Sequence, residues 1–194
     1  DWSSDVCSSD LTRSLLAAMA AAGTPRLVFS STAAVYGEPA RMPIVESMEP
    51  APVNPYGASK WQAEQAIAAH ADAHPGFAFA ALRYFNVVGS ADDGSLGEHH
   101  EPETHLLPLV LEAALGRRPH VTVFGTDYPT TDGTCIRDYV HVEDLVEAHL
   151  AVLDALRPGD RRVYNLGIGR GWSVQEVLAA AEQVTGAPIP VQYG

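Results

Sequence analysis

Residues 12–22 are rich in alanine and leucine and predict a helix, which Gly23 and Pro25 close. An apolar run at 26–31 predicts a short buried strand. Asn54 before Pro55 marks a helix start, a side-chain cap followed by a proline whose missing N–H has no partner in a first turn anyway. The helix it opens runs over 56–73, until Pro75 and Gly76 stop it, and the next strand is expected at 77–83. Apolar strands alternating with helices are the pattern of a parallel sheet covered by helices, with ligands bound beyond the carboxyl ends of the strands.

After Phe85 the texture changes. A loop rich in Gly, Asp and His fills 89–104, followed by a helix at 106–115 and a short strand at 121–124, which together read as a substrate-holding lobe. An amphipathic helix at 142–156 and a strand at 162–166 are expected to return to the first sheet. Ser173 and Glu176 form a capping box that opens a last helix ending at Thr185. The predicted class is α/β: part of a Rossmann-like, doubly wound parallel sheet over 12–88, and a smaller substrate-binding α/β lobe over most of 89–194. No element is predicted after Pro188 and Pro190, so the carboxyl end is expected to be truncated.

Composition adds limits. The chain has 194 residues, 46% of them hydrophobic, enough to bury one ordinary core. Its formal charge of −12 and the lack of a basic stripe argue against nucleic acid. No apolar run approaches the roughly 18 residues of a membrane span and no signal-peptide pattern appears, so a cytoplasmic location is expected. Cys7 and Cys135 are too few for a disulfide framework and are read as plain thiols. Residues 1–11 (DWSSDVCSSDL) match the conceptual translation of a common sequencing-library adapter and are set aside, with the natural frame expected to be cut there.

The chemistry-bearing pattern is Tyr56 and Lys60, four residues apart and therefore on one face of the predicted helix. Lys60 is the only lysine in the chain. A phenol of ordinary pKa near ~10 is a poor base at neutral pH, and an adjacent ammonium favours its phenolate form. Taken alone, the pair suits a solvated helix surface equally well. Upstream, the strand FSSTAAVYG (29–37) runs out into the hydroxyls of Ser30, Ser31 and Thr32. Such hydroxyls either satisfy local backbone groups or point into the ligand crevice. A hydroxyl donor beside a phenolate base is what carbonyl and alcohol chemistry requires, and that favours the second reading.

Strand-S-S-T followed by Y-x-x-x-K resembles the short-chain dehydrogenase/reductase triad. The runs RYFNVVG (83–89) and YPTTDGTCIRDYVHV (128–142) resemble UDP-glucose 4-epimerases in particular, in order and spacing over nearly all of 12–194. The resemblance implies NAD-dependent interconversion of UDP-glucose and UDP-galactose at sugar C4 through a 4-keto sugar. It implies Tyr56 as acid/base, Lys60 on the nicotinamide ribose, and Thr32 on the sugar 4-hydroxyl. Ser30, Ser31, Tyr56, Lys60 and Phe85 would contact NAD, and Asn86, His105, Leu106, Phe124 and Arg137 the UDP-sugar, with Arg137 against the diphosphate. Some members carry asparagine where His105 stands. A homodimer is a possibility the resemblance leaves open.

Several signals are discounted. Gly167, Gly169 and Gly171 follow a strand, but a dinucleotide-binding G-x-G-x-x-G would need glycine at Trp172, so a structural turn is expected. His99, His100 and His105 beside Glu101 and Glu103 lack a recognised ligand spacing, and no metal is expected. Asp144, Glu147 and His149 read as a plain polar helix face. Ala33 and Ala34 stand where 4,6-dehydratases carry an acid, which counts against elimination. The remaining alternatives are an epimerase of another UDP-sugar, a silent dinucleotide-binding protein and an inactive fragment. The first strand, glycine-rich turn and ribose-binding acid of the fold are not found, so the 194-residue chain alone is expected neither to bind NAD tightly nor to turn over.

Overall fold

The computed structural model describes residues 3–194. In chain order its elements are α1 (Ser3–Ala22), β1 (Arg26–Thr32), a 3-10 turn (Ala33–Tyr36), α2 (Pro55–Ala73), β2 (Ala78–Tyr84) and β3 (Asn86–Val88). There follow α3 (Leu106–Ala114), β4 (Val121–Val123), β5 (Ile136–His141), α4 (Val142–Ala155), β6 (Arg161–Leu166), β7 (Gly171–Ser173), α5 (Val174–Thr185) and β8 (Val191–Tyr193). The chain forms two compact units, one holding the residues up to Phe85 with Asp144–Gly167, the other Asn86–Glu143 with Ile168–Gly194.

Helix α1 begins at Ser3, well before the expected start at Thr12, so much of the segment set aside continues the same helix. Extending a formed helix needs no new nucleus, which lets weak helix formers such as Ser and Asp join it. Asp1, Trp2 and the Cys7 side chain lie outside the described residues.

The first unit is a parallel sheet in the order β1-β2-β6. Strand pleating sends alternate side chains to opposite faces, and the two faces carry different helices. Leu27 and Phe29 pack with Phe77 and Phe79 beneath Leu16 and Met19 of α1 and Ile67 and Ala71 of α2. Val28 faces the other way and joins Ala78, Ala80 and Leu82 against Val152 and Leu156, at the end of α4. The six residues Ala78–Arg83 are all buried, the expected state of a central parallel strand covered on both sides. The register aligns Thr32 with Tyr84 and Tyr84 with Leu166, so the three strands end together.

In the second unit β3 and β5 pair parallel and β5 and β7 antiparallel. Strands β4 and β8 pair parallel, and their core joins Val121 and Val123 to Val110 and Ala113 of α3, Leu178 of α5 and Ile189. Strand β8 corrects the expectation that nothing follows Pro190: three residues suffice because Val191–Tyr193 borrows its hydrogen bonds from β4. Helix α5 opens on the full capping box, Ser173 Oγ accepting from Glu176 N–H and the Glu176 carboxylate accepting from Ser173 N–H. Cys135 is a free thiol. Among the described residues, no helix is long and apolar enough to cross a membrane.

Candidate active site

In the first unit Asn54 caps α2, its side-chain oxygen accepting from Gly57 N–H at 2.7 Å, with Pro55 in the first turn. This cap places Tyr56 at the start of the helix, 41% exposed, and Lys60 one turn on, half-buried. Lys60 Nζ lies 5.9 Å from the centre of the Tyr56 ring and 5.3 Å from that of Phe29. It donates to the carbonyl of Ser30 at 3.2 Å, so the ammonium is tied to the carboxyl end of β1. One helical turn of spacing and a fixed carbonyl partner hold the charge beside the phenol, the arrangement in which a phenolate is stabilised.

The three strand-end hydroxyls part company. Thr32 is nearly buried and its Oγ1 accepts from Ala34 N–H at 3.1 Å, which leaves the hydroxyl hydrogen to donate elsewhere. The local-turn and ligand-facing readings of this threonine are therefore compatible. Ser30 Oγ lies 3.0 Å from His149 Nε2, while His149 Nδ1 lies 2.8 Å from the Leu145 carbonyl. A carbonyl can only accept, so Nδ1 carries a proton, and in the neutral imidazole Nε2 is then the acceptor to which the serine hydroxyl donates. His149, dismissed in the sequence as part of a polar face, thus braces the residue whose carbonyl holds Lys60. Ser31 departs from expectation: its side chain points to the opposite face, is fully buried, and donates to Glu64 at 2.5 Å. That hydroxyl is committed inside the protein, a consequence of the strand's two-residue alternation.

Glu64 belongs to a buried network the sequence reading missed. It follows Lys60 by one further turn of α2 and pairs with Arg83 of β2, Nη2 to Oε2 at 2.6 Å and Nε to Oε1 at 3.0 Å. Arg83 Nη1 donates to Tyr36 Oη at 2.8 Å, and Tyr36 donates to Asn165 at 2.8 Å. Burial works to lower the Arg83 pKa, but the bonds from Glu64 and Tyr36 outweigh it and hold the guanidinium above its ordinary value. Every buried side-chain polar atom among the described residues has a partner. The network ties α2 to β1 and β2, and with it the geometry of Tyr56 and Lys60. The helical spacing of Tyr56, Lys60 and Glu64 was the one signal in the sequence that pointed to it.

Phe85 follows directly after β2, its N–H donating to the Leu166 carbonyl at 3.1 Å, and so stands at the carboxyl edge of the sheet. In the second unit Asn86 starts β3 and donates to the Asp138 carbonyl at 3.1 Å. His105 stands at the N-cap of α3 and Leu106 is its first residue. Phe124, just after β4, is 78% exposed. Arg137 is exposed on β5, with Nη1 on the carbonyl of Ile136. The turn around Gly169 binds a carboxylate of the chain itself: the N–H groups of Ile168 and Gly169 donate to the two Asp138 oxygens, each at 2.9 Å.

A sequence-family model described as "NAD dependent epimerase/dehydratase family" matches residues 7–167. The chain belongs to this family. The epimerase/dehydratase chain is 48% identical over 183 residues to a UDP-glucose 4-epimerase of Rhizobium leguminosarum bv. trifolii, covering 94% of this chain and 56% of that protein. It is 53% identical over 180 residues to a UDP-glucose 4-epimerase of Streptomyces lividans, covering 92% and 53%. The crystal structure of UDP-glucose 4-epimerase from Bifidobacterium longum in complex with NAD+ and UDP superposes with a TM-score of 0.90 at 42% identity, covering 94% and 55%. The chain spans about half the length of the curated relatives it matches.

Within the epimerase/dehydratase sheet the approach of α2 to the turn after Thr32 is close enough to require glycine. A Cβ on Gly57 would lie 2.6 Å from the Ala34 carbonyl oxygen and 3.0 Å from its carbon. Both are backbone atoms, so the helix itself has to move. Gly57→Ala is expected to destabilise the protein by about 1–3 kcal/mol, the usual range for overpacking, and to lower kcat by displacing Tyr56. Denaturant melts and steady-state rates of the complete protein check both parts.

Proposed function

We propose that the complete protein containing this chain interconverts UDP-glucose and UDP-galactose at sugar C4 through a 4-keto sugar, with NAD as cofactor. The observation that carries the reading is the seating of Lys60 on the Ser30 carbonyl, one helical turn from Tyr56 and at the strand end that carries Thr32. The donor set fits a nicotinamide nucleotide: an ammonium fixed at the carboxyl end of a parallel strand can reach a ribose hydroxyl, and Phe85 stands at the end of the neighbouring strand. When bound, NAD supplies the acceptance and return of a hydride at C4.

The residues of the chain supply the rest. Tyr56 takes the proton of the 4-hydroxyl and returns it after the sugar has turned. Lys60 stabilises the phenolate and holds the ribose. Thr32 donates its remaining hydroxyl hydrogen to the 4-oxygen, and Arg137 holds the diphosphate through charge-assisted hydrogen bonds. Ser30 serves through its carbonyl and Ser31 through its place in the buried network. Asn86, His105, Leu106 and Phe124 hold the nucleotide and sugar so that only the hexose ring rotates. A homodimer belongs to the same reading and rests on the resemblance alone, while cytoplasmic placement is carried over from the sequence pattern.

Proton NMR of the complete protein with UDP-galactose tests the proposal, the anomeric signal of UDP-glucose growing in until both sugars stand at equilibrium. Conversion of a different UDP-sugar, with these two inert, would move the substrate and keep the chemistry. No conversion of any UDP-sugar by the folded, NAD-loaded protein would overturn it.

A further inference from the structure

The loop ahead of α3 gathers Glu98, His100, Glu103 and His105, which each present one ligand-type atom, all within 4.8 Å of one another. Nδ1 of His100 and Nδ1 of His105 lie 3.2 and 3.1 Å from the same atom, Oε1 of Glu98. Glu103 reaches both rings from the other side, 2.9 Å to His105 Nδ1 and 3.9 Å to His100 Nδ1. The Glu103 side chain is only 10% exposed, and its Oε1 accepts from the backbone N–H groups of Thr104 and His105, each at 2.7 Å.

We propose that Glu98, His100, Glu103 and His105 form a binding site for a divalent transition-metal ion of the zinc type. Around a tetrahedral ion with bonds of about 2.0–2.1 Å, neighbouring ligand atoms stand about 3.3 Å apart. The two imidazole nitrogens stand 3.2 and 3.1 Å from Glu98 Oε1, close to that value, and with Glu103 all four ligand atoms lie within 4.8 Å of one another, so side-chain rotations can close the set around an ion. The chemistry of the set is selective: two imidazole nitrogens with two carboxylates suit zinc, cobalt or nickel, whereas magnesium and calcium want oxygen alone. The electrostatics point the same way, because two carboxylates held this close repel each other and a dication between them relieves the repulsion. The backbone donors on Glu103 act as the outer shell that orients a ligand before the metal arrives. His100 and His105 are about half exposed, which leaves the ion a path from solvent.

Bound metal would pin the loop to the start of α3, where His105 and Leu106 stand. The set shares His105 with the residues proposed to hold the UDP-sugar and includes none of those proposed for the proton transfer, so metal binding can be measured without reference to turnover. His99, His100 and His105 beside Glu101 and Glu103 have no recognised ligand spacing in the sequence; the chain bends at Glu101 and Pro102, and Glu98, outside that set, completes the cluster.

The test uses the complete protein, stripped with a chelator, then titrated with Zn²⁺ by calorimetry and with Co²⁺ by visible absorption. One equivalent is expected to bind with micromolar or tighter affinity, and cobalt to give the intense band of a tetrahedral site. Glu98→Gln and His100→Ala are each expected to weaken binding at least tenfold. His99→Ala, a neighbour outside the cluster, is expected to leave it unchanged, which separates the cluster from nonspecific histidine binding. Thermal melts of the metal-free variants verify that they fold. Absence of binding, affinity unaltered by Glu98→Gln and His100→Ala, or an octahedral cobalt spectrum would each overturn the proposal.

Discussion

In the complete protein, Tyr56→Phe is expected to lower kcat for UDP-galactose conversion by about 100- to 10,000-fold, roughly 3–5 kcal/mol of barrier, the usual contribution of a positioned acid–base group. Phenylalanine keeps the ring, the helix start capped by Asn54 and the packing beside Lys60, and removes only the oxygen proposed to exchange the proton. UDP affinity is expected to stay within about twofold, because binding energy held by remote groups is uniform between ground and transition states. Arg137 on β5, the residue proposed for the diphosphate, is untouched by the change. Steady-state rates with parallel UDP titrations separate the two effects. A kcat near that of the parent would remove Tyr56 from the chemistry, whereas loss of UDP binding would mean that the substitution damaged more than the proton transfer.

Glu64→Ala is expected to cost about 3–5 kcal/mol of folding stability, since it strands a buried charge on Arg83. Both side chains are 5% exposed, so water cannot take the carboxylate's place without opening the core. Such a loss is a large share of the 5–15 kcal/mol that holds a typical domain together. Removing the partners jointly is expected to be milder: Glu64→Leu with Arg83→Met takes away both charges and leaves Ser31 and Tyr36 to rearrange. Where the Glu64 variant still folds, kcat is expected to fall more than KM rises, because the network orients α2 and with it Lys60. Guanidinium melts of the single and double variants check the ordering. A single-variant loss under about 1 kcal/mol, or a double variant much worse than either single, would contradict the account.

The parts legible in the sequence are those written in local pattern. The Asn54-Pro55 start, the four-residue spacing of Tyr56 and Lys60, and the Ser173–Glu176 capping box each depend on residues within one or two turns, and each stands in the structure as the pattern implies. What was not legible depends on contacts far apart in the chain. Strands β3, β7 and β8 have three residues each, too few for a period, and exist only because a distant partner completes their hydrogen bonds. The Ser30–His149 bond spans 119 residues, and nothing in either neighbourhood announces the other. The Ser31 hydroxyl was open to correction from the sequence itself, since consecutive residues of a strand cannot face the same crevice. With Ser30 and Thr32 on one face, Ser31 falls on the other, in register with Arg83 of the neighbouring strand, and both turn toward Glu64.

The most direct test of the central claim, that C4 is inverted by removal and return of a hydride while Tyr56 moves only the hydroxyl proton, is the conversion of UDP-galactose by the complete protein in D₂O. The account predicts UDP-glucose with no deuterium at C4, because a hydride taken from carbon and returned to it never mixes with solvent protons. Deuterium appearing at C4 in step with turnover would mean that a proton is drawn from carbon instead, and would contradict it.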